Sequence, residues 1–73
     1  MEKFNISGEY IHLNQLLKVI GWVEDGAQAN QLIDDGHVKV NGEVEFRRRN
    51  KLFPSYNVAF NGKKVEILAA EAE

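Results

Sequence analysis

A chain of 73 residues can enclose only one small hydrophobic core. We therefore expect one domain over residues 1–73, with its core at about residues 10–68, a short N-terminal extension and a frayed acidic C-terminal tail. The hydrophobic fraction of 44% excludes disorder throughout, and the lack of cysteine excludes disulfides and thiolate metal sites. A net charge of −2 argues against a uniformly basic nucleic-acid binder but does not say where charge lies. With no signal peptide or membrane-spanning stretch evident, we expect a cytoplasmic protein without membrane contact.

A first short helix is predicted near the N-terminus. Its apolar stripe has the spacing i, i+3, i+4 and i+7 and consists of Leu13, Leu16, Leu17 and Ile20. Asn14 has the side chain of a good N-cap, and Gly21 stands where a helix needs a left-handed residue at its end. Because Trp22 follows that glycine, we expect its side chain to pack back against Leu17.

A second helix follows at once and is expected to pack against the first as a compact pair. Asp25 and Gln28 have the spacing of a capping box, which predicts the start of this helix. Its apolar stripe consists of Ala29, Leu32 and Ile33. Gly36 ends the helix. The pair Asp34–Asp35 lies at the C-terminal end, where the helix dipole disfavours negative charge, and nothing in the sequence explains it.

After the second helix the apolar pattern becomes alternating, which predicts strands. The segment HVKVNGEVEF is typical of a hairpin with a turn at Asn41–Gly42. A two-residue loop would place Val40 opposite Glu43, so that apolar residues on one strand would face charge on the other. We therefore predict a three-residue turn with a bulge, which would place valines opposite Val44 and Phe46.

A second hairpin is predicted around Asn61–Gly62 as a two-residue type I′ turn. In that register Val58 lies opposite Val65. Tyr56 lies opposite Ile67, so that all four side chains share one face. The segment EYIHL is a candidate edge strand before the first helix. Together these elements predict an α+β fold with two short packed helices against a small, mainly antiparallel twisted sheet.

The sequence offers little chemistry for catalysis. His12 and His37 are the two histidines of the chain, and neither has the spacing of a zinc site. No serine has the context of a nucleophile, and the six glycines form no phosphate-binding loop. We therefore predict neither an enzyme nor a cofactor or metal site.

The strongest charge feature is the segment Arg47–Lys51, which holds four of the nine basic residues. Consecutive arginines on an extended loop suit phosphate binding, because the planar guanidinium matches phosphate oxygens. The same run has a structural alternative as a solvated segment that keeps a sheet edge from pairing. On the residues alone, both interpretations stay open.

Further candidate contacts to a polyanion lie on the predicted helices and the first hairpin. Lys18 lies outside the apolar stripe of the first helix and Lys39 lies between two inward-facing valines, so both side chains should be exposed. Gly26 offers an unpaired backbone N–H at the start of the second helix, where the dipole favours a phosphate. The candidates for hydrogen bonds to sugars or base edges are Gln28, Asn30 and Gln31.

The order and spacing of these motifs resemble the RNA-binding domain named after small-subunit ribosomal protein S-four, also called the alpha-L motif. The matching motifs are L-x-x-L-L-K at residues 13–18, A-x-x-L-I-x-x-G at residues 29–36 and V-x-V-N-G at residues 38–42. The chain is most similar to short stand-alone bacterial members of that family, which are little more than the domain itself. The resemblance implies two helices on a small sheet. It also implies that the helices and the following hairpin bind RNA, and that the protein has no catalytic activity.

Two basic contacts that are typical of the family are missing. His12 stands where many members have arginine, Asn14 where they have aspartate, and Asp25–Gly26 where many have Ser-Arg. Binding is therefore expected to rely on other residues, namely Arg47, Arg48, Arg49 and Lys51, with Lys18 and Lys39 alongside. His12 would add positive charge only when protonated, below about pH 6.5.

We therefore predict a non-catalytic protein that binds structured RNA, either ribosomal RNA or tRNA, through the helix pair, the hairpin and the Arg47–Lys51 segment. Structured RNA is favoured over single strands because the sequence shows no row of aromatic residues on which bases could stack. The alternative is a module that docks on a ribosomal or RNA-processing protein. We expect a monomer.

Overall fold

The computed structural model describes residues 1–70, which form two helices and seven strands. In chain order these are β1 Glu2–Asn5, β2 Ile11–His12, α1 Leu13–Val19, α2 Gly26–Asp34, β3 Val38–Val40, β4 Glu43–Val44, β5 Lys51–Leu52, β6 Asn57–Phe60 and β7 Lys63–Leu68. Neither helix in this part of the chain is long and apolar enough to cross a membrane. The tail that was expected to fray includes residues 71–73, which lie outside the described residues.

The strands form two sheets, and most of their pairs are antiparallel. The larger sheet has the order β1-β7-β6-β3-β4, and the smaller one pairs β2 with β5. β1 runs parallel to β7 and was not predicted, whereas the predicted edge strand before α1 is present as β2. The predicted α+β architecture, two short helices against a mainly antiparallel sheet, is therefore confirmed.

The core lies between the helix pair and one face of the larger sheet. Its fully buried side chains are Leu13, Leu16 and Leu17 of α1, Ala29 and Ile33 of α2, Leu52 of β5, and Val38, Val58, Val65 and Ile67 of the larger sheet. The two helical stripes predicted from spacing therefore do face the core, with Ile20 and Leu32 partly buried at its margin. Each fully buried leucine or isoleucine contributes about 1.5–3 kcal/mol relative to an exposed one.

Both helices end just before the glycines that were predicted to terminate them. Gly21 and Gly36 have φ angles of 80° and 79°, in the left-handed region. The N–H of Trp22 donates to the carbonyl of Leu17 (3.1 Å), the long hydrogen bond of a Schellman motif. The Trp22 side chain is partly buried against the core, and its predicted contact with Leu17 stays a prediction.

The predicted N-cap of α1 is wrong. The helix begins two residues earlier than expected, with His12 as the N-cap and no capping hydrogen bond from a side chain. The capping box of α2 is confirmed in its first half, since the Asp25 carboxylate accepts the N–H of Gln28 at 2.8 Å. The Gln28 side chain returns to the N–H of Glu24 (2.9 Å), one residue before the N-cap.

The predicted three-residue turn in the first hairpin is also wrong. Asn41 and Gly42 have φ angles of 52° and 87° and form a two-residue loop, so Val40 does lie opposite Glu43. Asn41 is tied to β6, because its Oδ1 accepts the N–H of Asn57 and its own N–H donates to the Asn57 carbonyl (2.9 and 2.8 Å). Since β4 is an edge strand, Val44 can remain 42% exposed without a gap in the core.

The second hairpin has the predicted register. Asn61 and Gly62, with φ angles of 51° and 79°, form the two-residue turn, and Val58 pairs with Val65. The Ile67 N–H donates to the Tyr56 carbonyl at 2.8 Å, which continues the same register. This hairpin forms the centre of the larger sheet between β1 and β3.

Candidate nucleic-acid interface

The segment between β4 and β5, residues 45–50, is here called the arginine loop, and it is fastened to the start of α1. The first N–H groups of a helix have no acceptor within the helix. In α1 the N–H of Leu13 donates to the carbonyl of Asn50, and the N–H of Asn14 to the carbonyl of Arg48, both at 2.9 Å. The backbone of the arginine loop therefore caps α1, and this contact sets the position of the loop beside the helix pair.

Two of the three arginines are already paired with carboxylates. Arg47 donates to Glu45 from its Nε (2.9 Å), its Nη2 (3.0 Å) and its backbone N–H (2.9 Å). Arg48 donates from Nε and Nη2 to the Asp34 carboxylate. These hydrogen bonds lower the pKa of Glu45 and the pKa of Asp34 below their ordinary values of 4.5 and 3.8. The Asp34 carboxylate at the end of α2, unexplained by the sequence, is thus the partner of Arg48.

The other two basic residues of the segment are unpaired. Arg49 and Lys51 are both exposed, and neither forms an ion pair with a carboxylate within residues 1–70. The Lys51 ammonium lies over the ring of Tyr10, 4.8 Å from its centroid. Arg49 and Lys51 are therefore the cations of this segment that can take a phosphate without first breaking an ion pair with a carboxylate.

The small sheet of β2 and β5 carries a row of exposed side chains. Ile11 pairs with Leu52 and both face the core, so the residues before and after them in each strand face outward. That outer face consists of Tyr10, His12, Lys51 and Phe53. The ring centroids of Tyr10 and Phe53 are 5.8 Å apart, and those of Tyr10 and His12 are 5.5 Å apart. The fold thus assembles an aromatic cluster that was not anticipated from the sequence.

Sequence reasoning missed Tyr10 and Phe53 because they are distant in the chain. The local signal was the alternation in Tyr10-Ile11-His12 and Lys51-Leu52-Phe53, where one aliphatic residue lies between two aromatic or basic residues. Each stretch is too short to be identified as a strand by itself, and pairing the two requires the tertiary structure.

The polar candidates on α2 are engaged within the protein. The amide of Asn30, which is half-buried, accepts from Asn14 Nδ2 at 3.1 Å and so joins the two helices. Gln31 donates to the carboxylate of Asp35 at 3.0 Å, and Gln28 caps its own helix. Of these amides, Gln28 and Gln31 lie nearer the solvent and can exchange their intramolecular partners for RNA.

Gly26 and Lys18 lie at some distance from the arginine loop. Gly26 begins α2, and its separation from Asp34, where Arg48 is attached, is eight residues or about 12 Å along the helix. Lys18 is exposed one turn after Asn14 on α1. Both residues border the same helix pair as the loop, at its other end.

Lys39 lies on a different face of the molecule. Val38 and Val40 point toward the helices, so Lys39 points to the opposite, open face of the larger sheet. There it lies beside Ala59 of β6, which in turn pairs with Lys64 of β7. His37 and Lys39 help to line a shallow concavity of about 450 Å³ on this face. A surface that includes both Lys39 and the arginine loop has to pass around the β4 edge.

The described residues hold no cluster of metal ligands. No group of three or more His, Asp or Glu side chains comes together within residues 1–70 in a way that could hold a metal ion. The two histidines lie apart, His12 on the small sheet and His37 at the start of β3.

The family model of the S4 domain matches residues 4–68, and the chain belongs to that family. The family expected from the motifs is thereby confirmed.

Two curated relatives are similar over most of their length. The chain is 45% identical over 60 residues to the putative RNA-binding protein YbcJ of Escherichia coli, a match that covers 82% of this chain and 86% of the relative. The same figures hold for the uncharacterized protein YbcJ of Shigella flexneri. The solution structure of E. coli YbcJ, described as revealing an alpha-L motif involved in RNA binding, superposes with a TM-score of 0.73 at 41% identity. The superposition covers 94% of this chain and 89% of that one.

Proposed function

We propose that this chain is a non-catalytic, cytoplasmic protein that binds structured RNA, either ribosomal RNA or tRNA. Membership of the S4 domain family supports the proposal, as does the similarity to an E. coli protein whose name and structure description refer to RNA binding. The binding surface consists of the arginine loop, the outer face of the small sheet and the adjoining faces of the two helices. Phosphates are held by cations, and the amides of Gln28 and Gln31 on α2 contact sugars or base edges.

The attachment of the arginine loop to α1 is the observation that carries this proposal. A solvated loop that serves only to block edge pairing needs no fixed position, whereas this one caps a helix through two of its backbone carbonyls. The cap fixes the backbone on both sides of Arg49, and the pairing of β5 with β2 fixes the backbone of Lys51, before any ligand arrives. Preorganised cations bind phosphates with a smaller loss of conformational entropy than mobile ones. The residues Arg47, Arg48, Lys18, Lys39 and Gly26 are secondary contacts in this proposal.

A salt titration of binding to a structured RNA hairpin tests the proposal. If about four phosphates are engaged, the affinity falls with salt at a log–log slope of roughly −3. The variant with Arg49→Ala and Lys51→Ala should bind more weakly and show a shallower slope, because two phosphate contacts are lost.

A variant with Lys63→Ala and Lys64→Ala is the matched control. It removes the same charge from β7, which lies three strands from β4 in the larger sheet. It should keep the parent slope, provided that circular dichroism shows all three proteins folded. An equal loss of RNA affinity in both variants would mean that net charge, and not these two positions, causes the effect. Absence of binding by the parent would reject RNA binding.

A second candidate function is docking on a protein of the ribosome or of RNA processing, and the β4 edge favours it. β4 is an edge strand of two residues with two exposed apolar side chains at its end, Val44 in the strand (42% exposed) and Phe46 two residues later (61%). An apolar edge of this kind can pair with an extended segment of another protein. Such binding would change little with salt, which separates it from phosphate recognition.

A further inference from the structure

The exposed aromatic cluster on the small sheet consists of rings that contact one another and so have restricted motion. Tyr10 and Phe53 are 38% and 37% exposed, with ring centroids 5.8 Å apart and planes inclined by 52°. Phe53 also meets Tyr56 at 5.8 Å, and Tyr56 packs against the core. Phe53 thus contacts both Tyr10 and Tyr56, and these contacts limit the motion of the exposed rings, so a planar group can bind them with little further loss of side-chain freedom.

The strands that carry these rings are anchored. Between Tyr10 and His12 lies Ile11, and before Phe53 lies Leu52, and both intervening residues are buried. The alternation forces the aromatic rings and Lys51 to one outer face. Phe46, by contrast, is 61% exposed and makes no ring contact within residues 1–70. Exposure of an aromatic residue in this chain therefore does not by itself create a platform.

One cation lies against the rings, and a second lies close to it in the sequence. The Lys51 ammonium lies 4.8 Å from the centroid of Tyr10, and Arg49 is two residues earlier, at the end of the arginine loop. A cation over an exposed ring is held more weakly than a base stacked on it, so a base can displace the ammonium. Lys51 then remains within reach of the phosphates on either side of that base.

We infer that Tyr10 and Phe53 form a stacking platform for one unpaired base of the bound RNA, with Lys51 and Arg49 contacting the flanking phosphates. The inference rests on the proposed RNA binding and narrows its ligand to a paired stem that adjoins at least one unpaired nucleotide. The stem lies along the arginine loop and the helix ends, and the unpaired base leaves the stem to lie on the rings. Unpaired bases have free faces and stack on aromatic side chains with little dependence on sequence.

Two RNA hairpins of equal length test the inference. One is fully paired along its stem, and the other carries a single bulged 2-aminopurine whose fluorescence falls when the base stacks. The parent should bind the bulged hairpin more tightly and quench its fluorescence. Tyr10→Leu and Phe53→Leu should each weaken binding of the bulged hairpin by about 5- to 150-fold, the range measured for loss of base–aromatic stacking. Neither should change the affinity for the fully paired hairpin or the salt dependence.

Two further variants separate stacking from structural effects. Tyr10→Phe keeps the ring and should retain the bulge preference, whereas Phe60→Leu removes a ring of β6, outside the arginine loop and the small sheet, and should behave as the parent does. Equal affinity of the parent for both hairpins without quenching would overturn the inference and leave RNA binding intact. Loss of both hairpins in Tyr10→Leu, with a lowered melting temperature, would also overturn it in favour of a packing role. No binding of either hairpin by the parent would reject the proposed function itself.

Discussion

Arg48 donates two hydrogen bonds to the carboxylate of Asp34, from Nε and from Nη2, and thereby joins the arginine loop to the last turn of α2. Both side chains are substantially exposed, so the pair contributes little to stability. Its consequence is for binding, because a phosphate that approaches Arg48 must compete with a carboxylate already in place. A phosphate that approaches Arg47 must likewise compete with the Glu45 carboxylate. The run of basic residues is therefore divided into paired and unpaired cations.

This division predicts unequal effects of single arginine substitutions. Arg49→Ala should weaken RNA binding by about 1 kcal/mol, or roughly fivefold, and make the salt slope shallower by about 0.7–1. Arg47→Ala should change the affinity less than about twofold, because its guanidinium is occupied by Glu45. Both are measured by fluorescence anisotropy with one structured RNA at several salt concentrations. Equal losses would mean that the ion pair of Arg47 opens freely on binding.

Removal of the competing carboxylate should strengthen RNA binding. Asp34→Asn abolishes the ion pair with Arg48, frees the guanidinium for a phosphate and deletes a nearby negative charge. We expect a gain of about two- to fivefold in affinity at low salt. Asp35→Asn is the matched control, because Asp35 is adjacent but accepts from Gln31 and not from an arginine. If the two substitutions have the same effect, general repulsion explains the gain and Arg48 does not.

The same ion pairs predict a small loss of stability in acid. The pKa values of Asp34 and Glu45 are lowered by hydrogen bonds from Arg48 and Arg47, so the folded state binds protons less readily than the unfolded chain. The stabilisation they provide is fully present above about pH 4.5, the ordinary pKa of Glu45, and is lost as the pH falls through the lowered values. Urea denaturation between pH 7 and pH 3 measures it. The variant with Arg47→Ala and Arg48→Ala should show a smaller decline over that window, and an unchanged decline would assign it to other carboxylates.

Two glycines should respond oppositely to alanine. Gly21→Ala should destabilise the protein by about 1–2 kcal/mol, because the residue has a φ of 80° at the end of α1, where an L side chain is strained. Gly26→Ala should leave stability unchanged or raise it slightly, because Gly26 lies in the first turn of α2 and an added methyl group would meet no atom within 4 Å. Urea denaturation of the two variants provides the comparison. Similar free energies of unfolding for both would contradict the role given to the Gly21 conformation.

Local pattern was sufficient to predict most of the helices and their ends. The apolar stripe from Leu13 to Ile20 and the left-handed Gly21 depend on neighbours within one or two turns, so the sequence contains the whole cause. The second hairpin was equally predictable, because Asn61–Gly62 selects a type I′ turn and thereby sets the register of both strands. The family motifs lie in these same local elements.

Predictions failed where an interaction partner is distant in sequence. Asn14 was expected to cap α1, but the cap consists of carbonyls from the arginine loop, which only the folded chain brings there. The first hairpin was expected to bury Val44, but β4 lies at the edge of the sheet and other strands already fill the core beneath it. An edge position is a property of the whole sheet, and alternation within one strand does not reveal it.

By itself the sequence determined the class of fold, the helix ends, one hairpin and the presence of a basic segment, because each follows from side chains close together in the chain. The tertiary structure alone decided which cations are unpaired and which side chains share the candidate surface. Pairing of Arg48 with Asp34, and of β2 with β5, joins segments whose separation no local pattern encodes. Ion pairs and aromatic contacts act over only a few ångströms, so they depend on how the whole chain packs.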